Sequence, residues 1–178
     1  MKSVSFLFAV CVVFMLQSCE FNCSVGKTPD KDSGVAEVKD GARVYNKIQL
    51  TTNKVKVEKA YLLFDNGQRV PDDNFVDFNS TIKMQLLIDT GWVVENSKVM
   101  LGASEKIVTE DGKVVLEEAD LFQKYPDGIS VDDSKSIYLS AILKLKEGVP
   151  PTSFTVSFRV WDKKGDGFIE GSYKLYSK

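Results

Sequence analysis

Hydrophobic and polar residues alternate through much of the chain. In "TIKMQLLID", Ile82, Met84, Leu86 and Ile88 share one phase, with Lys83 and Gln85 in the other. "SIYLSAILKLK" sets Ile137, Leu139, Ala141, Leu143 and Leu145 against Tyr138, Ser140, Lys144 and Lys146. In "SFTVSFRVW", Phe154, Val156, Phe158 and Val160 are separated by Thr155, Ser157 and Arg159. A period of two is that of a strand with one buried face, because successive side chains point to opposite sides of a sheet. One-sided burial also predicts antiparallel pairing, since parallel strands are covered on both faces and read as continuous apolar runs.

The connections fit the same picture. Asn66-Gly67 in "LLFDNGQRV" and Asp111-Gly112 in "KIVTEDGKVVL" each separate two extended runs. Both dipeptides suit two-residue hairpin turns, whose central residues need positive φ. In the second hairpin this places Glu110 opposite Lys113, a favourable cross-strand pair. The tandem prolines of "EGVPPTS" interrupt pairing, because proline has no N–H for a ladder. "LEEADLFQKY", residues 116–125, is the one stretch that reads as a helical turn. About eight or nine short strands over residues 43–178 predict an all-β fold: an antiparallel β-sandwich, with an immunoglobulin-like arrangement as its leading version.

The beginning of the chain breaks the alternation. Lys2 precedes an apolar run from Val4 to Leu16, and small or polar residues follow. Those thirteen residues rise only about 20 Å as a helix, short of a hydrocarbon layer of about 30 Å, so they read as a secretory leader rather than a span. The run closes on Leu16-Gln17-Ser18-Cys19, which resembles the lipobox of bacterial lipoproteins. The resemblance assigns Leu16 and Ser18 to recognition by the signal peptidase and Cys19 to lipidation. It implies diacylglycerol on the Cys19 sulfur and cleavage just before it. Gln17 departs from the family's preference, at its most permissive position. Two or three acyl chains on one residue hold durably where one holds only marginally. Glu20, not Asp, follows the cysteine, which in lipoproteins of Gram-negative bacteria implies delivery to the outer membrane.

This reading divides the chain into a signal peptide at 1–18, a flexible tether at 19–42 and a β-sandwich domain at 43–178. The tether, "EFNCSVGKTPDKDSGVAEVKDGA" after Cys19, is rich in small, charged and turn-forming residues. About twenty such residues reach roughly 25 Å as a random coil.

Composition then removes function classes. A formal net charge of −2 without a basic stripe argues against nucleic acid as a partner. Of the three cysteines, Cys11 leaves with the leader and Cys19 carries lipid. Cys23 alone cannot form an internal disulfide, so it stays idle or joins two chains. The chain has no histidine, which excludes Ser-His-Asp triads, Cys-His pairs and HExxH zinc sites. There is no P-loop or GxGxxG, no cofactor is implied, and the expectation is that the protein is not an enzyme.

One loop carries candidate chemistry. In "VWDKKGDGFIEG", residues 160–171, Asp162, Asp166 and Gly167 match positions one, five and six of an EF-hand, but Lys164 and Tyr173 stand where ligands are needed. The stretch is also similar to the calcium loop of C2 domains, though shorter and without the middle aspartate. Asp162 and Asp166 are thus weak metal candidates, with Asp65, Asp72 and Asp73 as a second acidic loop. The plainer reading is a polar hairpin. Trp161, out of phase with its strand's apolar face, and Trp92, just after a strand, are candidate ligand contacts. The expected function is a lipid-anchored envelope protein displaying one binding or structural module, with the membrane, an envelope protein or a glycan as partner. The ligand and the oligomeric state stay open. The alternatives are a calcium-dependent C2-like module and a carboxylate-based glycan-processing enzyme.

Overall fold

The computed structural model describes residues 37–39, 41–77, 80–141 and 152–177. The lipobox and Cys19, Cys23 and the alternation beyond Ala141 lie outside them. The strands are β1 (Glu37–Lys39), β2 (Ala42–Val44), β3 (Gln49–Asn53), β4 (Lys56–Phe64), β5 (Phe75–Val76), β6 (Ile82–Thr90) and β7 (Val94–Glu95). They continue with β8 (Lys98–Val99), β9 (Leu101–Thr109), β10 (Val114–Glu118), β11 (Ile129–Ser130), β12 (Ser136–Ala141), β13 (Ser153–Asp162) and β14 (Phe168–Ser177). Eight of these have five residues or more, the number expected; six shorter ones went unforeseen because two or three residues show no period.

One sheet runs β1-β2-β4-β6-β12 and a second β10-β9-β13-β14-β3, with β5 beside the end of β14; β11-β8-β7 form a small third. Pairing is antiparallel except between β2 and β4 and between β5 and β14. The two large sheets pack as a sandwich around a single apolar core. The first contributes Leu62, Met84, Leu86, Ile137 and Leu139, and the second Ile107, Val156, Phe158, Val160 and Ile169. These are the residues in the apolar phase, and each fully buried one contributes roughly 1.5–3 kcal/mol by leaving water.

Both hairpins differ from expectation in the same way. Thr109 N donates to Lys113 O and Gly112 N to Thr109 O; Phe64 N donates to Gln68 O and Gly67 N to Phe64 O. Each loop therefore has three residues, and only Gly67 (φ 80) and Gly112 (φ 84) are left-handed. A type I turn closed by a left-handed glycine spares Asn66 and Asp111 the positive φ that a two-residue turn demands. The partner of Lys113 is consequently Thr109 and not Glu110.

Two boundaries also move. The sheet begins at Glu37, inside the expected tether, because Gly41 (φ 83) turns β1 back onto β2. Residues 116–125 form no helix: β10 runs to Glu118, and the Asp120 carboxylate then accepts from Ala103 N and Phe122 N. That clamp lets Phe122 drop into the core, and so short a segment has little helical stability of its own to oppose it.

Candidate functional site

β14 outruns its outer partners. β3 pairs with Phe168–Ser172 and β5 with Tyr176–Ser177, leaving the edge at 173–175 to the turn before β5. Asn74 stands in for a strand there. Its Nδ2 donates to Lys174 O at 2.8 Å, and its carbonyl accepts from Tyr176 N at 3.0 Å. The Asn74 amide also donates to Asn46 O and accepts from Asn46 Nδ2, which in turn reaches Val70 O at 3.0 Å. Asn46 Oδ1 accepts from Leu62 N at 2.9 Å. Both asparagines are buried and left-handed, with φ 56 and 61, a conformation their short polar side chains tolerate. The network fixes the turn to both sheets.

Beside this junction, on the outer face of the second sheet, lies a groove of about 260 Å³ lined by Lys47, Gln49, Thr155, Ser172, Lys174 and Tyr176. The register brings them together: Thr155 pairs with Lys174, and Ser172 has Ser157 on one side and Gln49 on the other. Tyr176 packs on Phe75, ring centroids 5.3 Å apart, and Phe75 is 44% exposed, so the groove ends in an aromatic shelf. Gln49 accepts from Lys39 Nζ and donates to Lys47 O, but other polar groups of the lining are unspent. Among the described residues, the side chains of Lys47, Thr155, Ser172 and Lys174 have no hydrogen-bond or ion-pair partner. Other cations of the same face are engaged: Lys106 with Glu117 at 3.1 Å, and Arg159 with Glu170 at 3.6 Å and over the Phe168 ring.

The 160–171 loop is held by its acids. Asp162 is buried; one carboxylate oxygen accepts from Val93 N at 2.6 Å and the other from Lys164 N at 2.7 Å. Asp166 is exposed and pairs with Lys54 at 2.5 Å, which holds its carboxyl below the usual aspartate value. The structure thus gives each aspartate a partner within the fold, and no group of three or more metal-ligating side chains gathers among the described residues. The second acidic loop behaves similarly. Asp65 pairs with Lys83, Asp72 with Arg69, and Asp73 accepts from Phe75 N. Trp161 lies half-buried across Gly102, where a Cβ would fall 2.3 Å from the indole. Trp92 packs against the core and donates to Ser134 O at 3.4 Å. Neither tryptophan lines the groove; Tyr176 does.

A further residue escaped the sequence reading. Glu105 points into the sandwich, 1% exposed, and neither carboxyl oxygen has a hydrogen-bond partner. Its register neighbours are Phe158 on β13 and Glu118 on β10. Burial raises its pKa from 4.5 to about 7, and burial together with the Glu105 charge raises Tyr173 well above the usual phenol value. The signal was present: Glu105 occupies the apolar phase of Leu101, Ala103 and Ile107. The groove had no such signal, since its residues come from β13, β14 and the segments around β3.

No model of a known protein family matches the chain, and no curated protein matches its sequence. The fold and this face are therefore the ground for a functional reading.

Proposed function

We propose that the protein is a lipid-anchored component of the cell envelope, held by acyl chains on Cys19, whose β-sandwich is displayed as a binding module. The outer membrane of a Gram-negative bacterium is its place, and the ligand face is the outer side of the second sheet. It binds rather than catalyses. Support for the anchor comes from the apolar run ending in Leu16-Gln17-Ser18-Cys19. Support for binding comes from the groove at Tyr176, where polar side chains with unspent hydrogen-bonding capacity meet an exposed aromatic shelf. That combination, an apolar surface with a few placed polar groups, is what ligand sites share. Seventeen residues lie between Cys19 and Glu37, where the first described strand begins, and a random coil of that length would reach roughly 23 Å, enough for the sandwich to clear the headgroups.

Metabolic labelling with palmitate tests the anchor. Wild-type protein is expected to take up label, while Cys19→Ala is expected to lose it and accumulate as a longer precursor. Label retained by Cys19→Ala refutes the anchor.

A further inference from the structure

We infer that the groove at Lys47, Lys174 and Tyr176 takes an acidic glycan, a saccharide whose rings carry carboxylate or sulfate groups. The inference deepens the binding reading above and does not depend on the anchor. Charge comes first. The lining contains two ammonium groups and no carboxylate, and neither ammonium has an ion-pair partner among the described residues. Elsewhere on the surface Lys54, Lys56, Lys83, Lys106, Lys135 and Lys163 each hold a carboxylate. Two unneutralised cations in one concavity set up a local positive potential on a chain whose net charge is −2, and that potential selects an anion.

The remaining lining narrows the anion to a sugar. The hydroxyls of Thr155 and Ser172 and the spare donor of Gln49 suit the hydroxyl groups of a pyranose. Gln49 is itself oriented, its Oε1 accepting from Lys39 Nζ at 2.8 Å. Tyr176, braced against Phe75, offers a flat ring for the apolar face of a sugar. A bare phosphate would use the lysines and leave this shelf idle. The floor is preorganised, because the Asn46–Asn74 network fixes the backbone on which Lys174 and Tyr176 stand.

Isothermal titration calorimetry on the full-length, detergent-solubilised protein tests this with trigalacturonate and a heparin tetrasaccharide, against maltotriose and inorganic phosphate. The expected result is binding of at least one acidic saccharide that weakens with added salt, and weaker or absent binding of maltotriose and phosphate. Lys47→Ala and Lys174→Ala should each weaken it roughly tenfold or more, the worth of one charge-assisted hydrogen bond. Lys174→Arg should retain binding, and Tyr176→Ala should lose it while keeping the wild-type far-ultraviolet circular dichroism. Any of three results overturns the inference: neither acidic saccharide binds, maltotriose or phosphate binds as well as they do, or Lys47→Ala/Lys174→Ala binds like the wild type. If those occur while palmitate labelling of Cys19 persists, the ligand class falls and the anchor stands.

Discussion

Replacing Glu105 with Gln removes an ionisable carboxyl from the core and keeps its shape. The wild-type residue is 1% exposed and its carboxyl is unpartnered, so ionising it in the folded state places a bare charge among apolar side chains. Its folded pKa is about 7 against an ordinary 4.5. Between those values the folded protein holds a proton that the unfolded chain has released. Unfolding free energy therefore falls by about 1.4 kcal/mol per pH unit across this window and levels off above about pH 7, a total near 3 kcal/mol. Asp111, whose carboxyl is held low chiefly by the Thr109 hydroxyl, and Asp166, held low by Lys54, titrate below their ordinary 3.8 and leave the window undisturbed. Glu105→Gln lacks the slope. Urea denaturation followed by Trp92 and Trp161 fluorescence at pH 4.5, 6 and 8 should show the variant gaining on the wild type by about 3 kcal/mol between the extremes. At roughly 2–4 °C per kcal/mol, the melting-temperature difference should change by about 10 °C. Glu105→Met, which also removes the polar atoms, should be the most stable of the three at pH 8. Parallel pH profiles for wild type and Glu105→Gln would refute the reasoning.

Asn74→Ala deletes two donated hydrogen bonds and one accepted one within a buried network, and it places alanine at φ 61. A loss of about 3 kcal/mol is expected by urea denaturation, and Asn74→Gly should recover about 1 kcal/mol of it by relieving the left-handed backbone. Gly171→Ala would set a Cβ 2.1 Å from Gln49 O and 2.8 Å from the Phe158 ring. Because a backbone atom must yield, β3 should be pushed off β14, lowering stability by roughly 1–3 kcal/mol in thermal melts. Unchanged melting would show that β3 moves without penalty.

The alternation at 82–88 and 154–160 was legible because burial of one sheet face dictates residue type at every second position, a rule that each strand obeys alone. The observed strands bury Ile82, Met84, Leu86, Ile88, Phe154, Val156, Phe158 and Val160, and the all-β sandwich follows from them. Glu105 was written in the same code and overlooked. Asp162 and Asp166 stood out by type and spacing, but only the fold reveals that Val93, Lys164 and Lys54 occupy them. Trp161 was rightly placed off the apolar face, yet its cover over Gly102 needed β9 beside β13.

Local periodicity thus determined which residues face inward. Tertiary structure alone decided the order β10-β9-β13-β14-β3, the three-residue hairpins and the meeting of Lys47, Thr155, Lys174 and Tyr176 in one groove. The physical reason is range. A period of two is imposed on neighbours in sequence, whereas register joins strands a hundred residues apart through backbone hydrogen bonds that carry no side-chain signature.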